Sequence, residues 1–451
     1  MAIIPQIEIF NLIKDEDLGS LKDLKMILEN LPDEEIMRVL ERKRGNGRDD
    51  YPVRPMWNSM IAAVYFKHTG PSSLIEELKR NAQLRYICGF RGYETIKNPK
   101  TGDIIETRPK CPKDHNYTRF LGNLLEEQDL INQMFDTCVD KLMELLPDFG
   151  QILAIDGKAI QSYATKENKN QKEDGRRDTD ANKGVKTYNG INEDGTAWEK
   201  VVSWFGYKLH LVVDANYELP VAFTVTKASR AEIPEAKDII STTAKKHPEL
   251  MDRCEYLLAD RGLDDTEFIT ELWDDHGIKP IIDMRNMWGV KDEVRMFEGR
   301  HNIIGYDNFG TIYCYDPVEG ERHLMGNGGF EKDRNTLKFL CPVKSHGIEC
   351  KGCEKCPYSN KAVRINLKED RRRFTPVARS SYKWDSIYKL RTSVERVNSR
   401  IDNVYCFENH YIRGLKKMRF RCSLALLMML VLAIGRIKQN RPDLMRSLKS
   451  A

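Results

Sequence analysis

The stretch Gln151-Ile152-Leu153-Ala154-Ile155-Asp156 runs from apolar residues into an acid. A short continuous apolar run reads as a buried strand, and its closing aspartate sits where a strand end meets solvent. The pattern recurs at Tyr256-Leu257-Leu258-Ala259-Asp260 and at Lys279-Pro280-Ile281-Ile282-Asp283. Between the first two lie a strand, Tyr207 to Asp214, a turn beginning at Ala215-Asn216, and a hairpin partner, Pro220 to Thr226. Helices are predicted from about Ile233 to Lys246 and from about Thr266 to His276. The order β–β–β–α–β–α–β predicts an α/β fold: a mixed sheet with helices on its faces. Thr165 to Gly184 contains no Val, Ile, Leu, Phe or Met and reads as a flexible polar loop.

Outward from this core the pattern changes. Before it, Leu18, Leu21, Leu24, Ile27 and Leu28 keep helical spacing up to Pro32, and Asp33 is placed to cap a second helix. A third helix is predicted from about Pro55 to Lys67 and a fourth through Leu74, Ile75 and Leu78, joined by the turn His68-Thr69-Gly70-Pro71-Ser72. That pair permits either a helix-turn-helix or a plain helical bundle. Residues 91–116 read as a loop and Thr118 to Leu146 as a helix. After the core, 285–385 reads as an irregular, Gly-rich, cysteine-bearing insertion without an obvious core of its own. Tyr388 to Asn403 then forms a helix with Leu390, Val394, Val397 and Ile401 on its apolar side, and 415–437 forms the last one. The expected division is a helical, DNA-binding N-terminal domain over 1–116, a helical connector over 117–150, the core over 151–284 and 386–440, and the insertion over 285–385.

Composition narrows the class. With 451 residues, 41% hydrophobic and 31% charged, the chain has ample length for a core and is neither collagen-like nor disordered throughout. The opening MAIIPQIEIF has no basic segment and carries Glu8, so no secretory signal is expected there. The longest uncharged apolar run, Cys422 to Gly435, falls short of the ~20 residues of a membrane span and predicts a buried helix. Eleven cysteines, an odd number in a long chain, favour reduced thiols and a cytoplasmic protein. Charge is uneven: residues 1–50 hold 8 Lys/Arg against 12 Asp/Glu, and residues 361–421 hold 17 against 6. The second segment is either a polyanion-binding face or a solvated basic helix pair.

Asp156 and Asp260 end two apolar strands at one rim of the expected sheet. On the helix beyond the insertion Tyr388, Arg391, Glu395 and Asp402 fall at i, i+3, i+7 and i+14, on one side at 3.6 residues per turn. The bland alternative is a surface i,i+4 pair between Arg391 and Glu395, worth a few tenths of a kcal/mol. Together Ile152-Leu153-Ala154-Ile155-Asp156-Gly157-Lys158, Ala259-Asp260-Arg261-Gly262 and Tyr388-Lys389-Leu390-Arg391-Thr392-Ser393-Val394-Glu395 resemble, in order, the three motifs of bacterial insertion-sequence DDE transposases of the large IS-four-like superfamily. Tyr51 to Gly92 resembles the helical N-terminal domain of such proteins, and the likeness also takes in the hairpin at Gly206 to Asp214 and the closing helix. One position departs: where the family often has Lys or Arg seven residues past the glutamate, this chain has Asp402, with Arg396 and Arg400 nearby.

The resemblance implies a ribonuclease-H-like core with a catalytic triad of Asp156, Asp260 and Glu395. Clustered carboxylates repel one another unless cations sit between them, and hard oxygen ligands suit two Mg²⁺ or Mn²⁺ ions. It further implies cleavage at the ends of an element and transfer of a 3′-hydroxyl to target DNA. Lys208, Arg391, Arg396 and Arg400 would meet phosphate, and Tyr388 would orient DNA or pack. A homodimer on DNA and a nucleoid-associated, cytoplasmic location follow from the same likeness. The competing readings are a domesticated transposase that binds DNA sequence-specifically without cutting, a related nuclease without strand transfer, and an iron–sulfur redox protein.

Cys341, Cys350, Cys353 and Cys356 have a spacing that suits structural Zn²⁺ or part of an iron–sulfur cluster, with Cys314, His323 and His346 in reserve. Trp288 reads either as a core residue or as an aromatic for stacking on a flipped base. His210 shares a strand face with Lys208 and reads as a satisfied histidine rather than a catalytic one.

Overall fold

The computed structural model describes residues 18–45, 51–164, 178–192, 194, 196–285 and 294–448. Residues 165–177 of the expected polar loop, and Trp288, lie outside them. Helices α1 (Lys22–Asn30), α2 (Glu34–Arg44), α3 (Val53–Tyr65), α4 (Pro71–Arg80) and α5 (Ala82–Cys88) come first. The expected loop at 91–116 contains an antiparallel hairpin, β1 (Tyr93–Lys97) with β2 (Ile104–Pro109), which is almost wholly exposed. The predicted helix over 118–146 is two helices, α6 (Asp114–Glu126) and α7 (Gln128–Leu145). Asp33 does not cap α2 with its side chain. Its buried carboxylate instead accepts from Arg54 Nη1 at 2.6 Å and Trp57 Nε1 at 2.7 Å, fastening α2 to α3.

The central sheet has six strands: β3 (Ile152–Gln161), β4 (Asn182–Ile191), β5 (Ala197–Asp214), β6 (Leu219–Lys227), β7 (Tyr256–Ala259) and β8 (Lys279–Ile282). β3 runs antiparallel to β5 and parallel to β7, β7 is parallel to β8, and β6 is antiparallel to β5. Helices α8 (Glu232–Lys246), α9 (Pro248–Arg253) and α10 (Thr266–Asp274) fill the connections. An antiparallel meander followed by parallel strands with interposed helices is the mixed, ribonuclease-H-like arrangement expected from the strand order. The meander has one strand more than predicted. β4 pairs with Ala197 to Gly206, the outer half of β5, and the two form an arm. The mostly polar composition of 182–191 hid this strand: the arm stands beyond the core, and its apolar side chains, Val185, Trp198, Val201 and Val202, stay exposed.

The insertion is not irregular. Strands β9 (Arg295–Met296), β10 (Ile304–Tyr306), β11 (Ile312–Tyr315) and β12 (Arg322–Leu324) make one small sheet, and β13 (Gly326–Glu331), β14 (Thr336–Leu340) and β15 (Ala362–Asn366) another, with the short helix α11 (Pro342–His346) between β14 and β15. Phe297, Ile304, Ile312, Leu337, Phe339, Ile365 and Phe374 bury a core of their own. Strands this short give little periodicity, which is why the alternation went unread.

The predicted helix from Tyr388 to Asn403 is divided. α12 (Tyr382–Tyr388) is joined through a 3₁₀ turn, Lys389–Arg391, to α13 (Thr392–Tyr405). The last helix, α14 (Leu415–Lys438), is long and apolar enough to cross a membrane by composition, yet 89% of its most apolar window is buried inside the fold. It packs on α7, α1, α3 and β6, and one hydrophobic core runs from Leu18 through the sheet to Leu448. The boundaries expected near 116 and 150 therefore do not interrupt the core, and the N-terminal helices and the sheet share it.

Candidate active site

Parallel pairing of β3 with β7 sets Ile155 opposite Ala259, so the next residues, Asp156 and Asp260, sit side by side. Asp260 follows the end of β7, whereas Asp156, expected at a strand end, lies within β3, which runs on to Gln161 and keeps Asp156 paired with Leu211 of β5. Adjacent strands lie ~4.8 Å apart. Asp156 Oδ1 accepts from the Gly157 amide at 2.7 Å, and Asp260 Oδ1 from the Gly262 amide at 2.8 Å. Burial pushes the Asp156 carboxyl up to about 6; Lys186 opposes the rise, while Asp260 and then Glu232 add to it. The two aspartates open onto a cleft of about 1120 Å³, which Tyr388, Arg391 and Glu395 also line. The helix register holds in part across the 3₁₀ turn: of the four residues expected on one side, Tyr388, Arg391 and Glu395 line the cleft and Asp402 does not.

Glu395 is half exposed and accepts from Arg391 Nη1 at 2.8 Å, so the i,i+4 pair weighed as the bland reading forms within the cleft. Tyr388 stacks on Trp384 with ring centroids 4.6 Å apart and 15° between planes, and the Arg391 guanidinium lies 5.7 Å over the Tyr388 ring. Tyr388 is therefore packed and still lines the cleft.

The other expected phosphate contacts divide. Lys208 lines the cleft but is buried; its ammonium donates to the Arg230 carbonyl at 3.1 Å and pairs with Glu232 at 3.2 Å. Arg396 and Arg400 turn away from the acids and hold Glu218, Arg396 Nε at 2.7 Å and Arg400 Nη2 at 2.8 Å, with Arg446 joining them. They do not line the cleft: a carboxylate at the β5–β6 turn, invisible from the α13 sequence, holds them. Asp402 pairs at 2.6 Å with Lys158 Nζ, which follows Asp156 on β3. The cation absent from α13 is thus present across from it on the strand. His210 is buried, its Nε2 is 3.1 Å from Thr226 Oγ1, and burial, with Lys208 and Arg230, brings its pKa down to about 4. It is the satisfied histidine that was expected.

Sequence reading missed Lys186, Arg230, Glu232, Arg261 and Arg285, which also line the cleft. Lys186 Nζ on β4 stands 3.8 Å from Asp260 Oδ2. Arg285 donates to the carbonyls of Arg261 at 2.9 Å and Gly262 at 2.5 Å, clamping the turn after Asp260. Only the unrecognised arm could have revealed Lys186; Arg285, just past the third strand ending on an acid, was within reach of the motif argument.

Hard carboxylate oxygens at the end of a sheet are a donor set that fits Mg²⁺ or Mn²⁺. As placed, no three Asp, Glu, His or Cys side chains among the described residues are gathered closely enough to hold a metal ion. Glu395 would have to leave Arg391 to join the aspartates. The cysteines of the insertion are likewise near one another without forming a closed site. Cys350 Sγ donates to Asp316 Oδ2 at 3.3 Å, and Cys353 Sγ lies 2.9 Å from Ser359 Oγ. Burial, reinforced by Cys341, Cys356 and Cys350, pushes the Cys314 thiol up to about 12.

A search of curated proteins returned no match. Among solved structures, the chain is similar to a piggyBac transposase synaptic complex with hairpin DNA, at 10% identity and a TM-score of 0.35, over 95% of this chain and 79% of that one. A family model described as a transposase DDE domain matches residues 147–432. That match spans both halves of the sheet, the insertion and the helices that carry Glu395, and the chain belongs to the transposase DDE domain family.

Proposed function

We propose that this protein transposes DNA by metal-dependent phosphodiester chemistry at Asp156, Asp260 and Glu395. The observation that carries the proposal is their shared cleft: two neighbouring strands of the sheet and one helix from beyond the insertion supply acids to one space lined by Lys186, Arg230, Arg285 and Arg391. The two aspartates, joined by Glu395 once it is released from Arg391, would hold Mg²⁺ or Mn²⁺. Bound there, the ions neutralise charge on the phosphate and activate a water or a 3′-hydroxyl for in-line displacement. The chain's own cations position the substrate. Arg391, freed from Glu395, is directed at a phosphate, and its planar guanidinium matches phosphate oxygens in two-point contact. Lys186 sits where a scissile phosphate beside Asp260 would lie. Catalysis would rest on positioning and on electrostatic stabilisation of the pentacoordinate phosphorus.

The substrate in this reading is the paired ends of an insertion sequence of the IS-four-like kind, first cut and then joined through the 3′-hydroxyl to target DNA, by a homodimer acting in the cytoplasm on the nucleoid. The cysteine group Cys341, Cys350, Cys353 and Cys356 is proposed to take structural Zn²⁺; metal analysis of the purified full chain tests it, and a visible absorption band would instead indicate an iron–sulfur cluster.

The decisive assay uses the DNA flanking this gene, Mg²⁺, and Asp156→Asn in parallel. Wild type is expected to cut at the element's ends and join them to a target plasmid, and the variant to do neither. Binding of the ends by both proteins with cleavage by neither would replace this reading with the DNA-binding one, and cleavage without joining would make the protein a nuclease.

A further inference from the structure

Glu232 opens α8, and its carboxylate lies between Gly157 on β3 and Gly262 in the turn after Asp260. A Cβ on Gly157, the residue after Asp156, would stand 3.0 Å from Glu232 Oε1. A Cβ on Gly262, two residues after Asp260, would stand 3.1 Å from Glu232 Oε2 and 2.7 Å from Asp260 Oδ1. Two oxygens that each lie about 3 Å from one point are within about 6 Å of each other, the range in which like charges resist ionising together. Neither glycine has a positive φ, so the backbone does not demand glycine at either place. What both provide is room for the same side chain.

We propose that Glu232 is a fourth carboxylate of the metal site, which helps hold the divalent ion between Asp156 and Asp260; the inference rests on the proposed metal chemistry of those two acids. In the metal-free chain its counter-charge is Lys208, 3.2 Å away and buried. As placed, these acids are not gathered closely enough to hold an ion, so Glu232 would leave Lys208 to join the two aspartates, whose hard oxygens suit one hydrated divalent cation. Glu395, by contrast, is half exposed and paired with Arg391, and would join from the exposed side of the cleft. The competing account gives Glu232 only the work of a helix-first acid that anchors Lys208. That account does not explain why Gly157 on β3 and Gly262 in the turn after β7 both leave room around the carboxylate.

The test is Mn²⁺ binding to the full chain without DNA, followed by electron paramagnetic resonance of the free ion, for wild type, Glu232→Gln, Glu232→Asp, Lys208→Met and Asp156→Asn. Glu232→Gln keeps the shape and a hydrogen bond to Lys208. It is expected to weaken Mn²⁺ on the order of tenfold or more, with circular dichroism unchanged, and Glu232→Asp to recover part of the loss. Lys208→Met removes a competing cation and is expected to bind Mn²⁺ as well as wild type or better. Glu232→Gln within twofold of wild type, while Asp156→Asn loses the ion, would overturn this inference alone. Equal weakening in Glu232→Gln and Lys208→Met would also overturn it, in favour of the anchoring role. Equal binding by wild type and Asp156→Asn would overturn the metal reading of the acids and this inference with it.

Discussion

Replacing Arg372 with methionine tests how the insertion is fastened to the sheet edge that carries Asp260. Asp264 follows the Asp260 turn, and its carboxylate is shut off from solvent, with a side-chain exposure of 0%. Arg372, from the chain leaving the insertion, grips both oxygens through Nε at 3.1 Å and one through Nη2 at 2.5 Å. The Arg285 amide donates to the same group at 2.9 Å. An exposed pair of this kind would contribute ~0–1 kcal/mol. Here the acid is buried, and removing one member of a buried pair strands the other, at a cost of ~3–5 kcal/mol. Arg379 also stands near enough to attract Asp264 and offsets part of that. The expected loss for Arg372→Met is therefore at the lower end, about 3 kcal/mol. Equilibrium urea unfolding is the assay, read at tryptophan fluorescence, since Trp273 packs edge-on against Phe330 of the insertion. The double variant Arg372→Met/Asp264→Leu removes both members of the pair and should recover most of the loss, short of wild type because Arg379 and the Arg285 amide lose Asp264 as a partner. A single-variant loss below about 1 kcal/mol, or a double variant no better than the single, would refute the reasoning.

Three other perturbations have definite outcomes. His247 is buried, which lowers its pKa, but hydrogen bonds to Asp136 and Asp140 outweigh burial and the net shift is upward. Its charged form therefore adds stability in full below the unfolded value of about 6.5, and this is lost as pH rises through the higher folded value; melting curves from pH 5.5 to 9 should fall more steeply for wild type than for His247→Gln, and parallel curves would contradict the pairing. At Gly206, where β3, β4 and β5 meet, a Cβ would lie 2.2 Å from the Ile160 carbonyl oxygen and 2.6 Å from the Ser162 amide nitrogen, backbone atoms that cannot step aside. Gly206→Ala should cost at least ~2 kcal/mol in urea unfolding, and a neutral result would show that the arm junction relaxes freely. Lys186→Gln removes a cation from beside Asp260 and should weaken metal-free binding of DNA ends severalfold while leaving the melting temperature within a degree or two; unchanged DNA affinity would take Lys186 out of the phosphate path.

The helical face of α13 shows how far local pattern carries and where it stops. Tyr388, Arg391 and Glu395 were legible as one face because helical spacing is a property of the chain itself, and that face does line the cleft. Arg396 and Arg400 belong to the same helix and the same basic segment, yet Glu218 takes both, and the spacing of α13 contains no trace of Glu218. The arm is the reverse case. A strand that buries no face and is mostly polar leaves no periodic mark, so β4 and its Lys186 emerged only from pairing with the outer half of β5.

The sequence by itself determined the meander-then-parallel order of the sheet, the apolar strands that lead into Asp156 and Asp260, and the buried course of α14, because each follows from contiguous apolar runs that have to leave water. Tertiary structure alone decided which charges face the acids. Lys158 meets Asp402 across 244 positions of chain, and Arg396 meets Glu218 across 178. Glu232 meets, in the cleft, the space left by two glycines distant in sequence, Gly157 on β3 and Gly262 after β7. Hydrophobic burial is read from neighbours along the chain, whereas an ion pair or a shared carboxylate site is settled by what folding brings within a few ångströms.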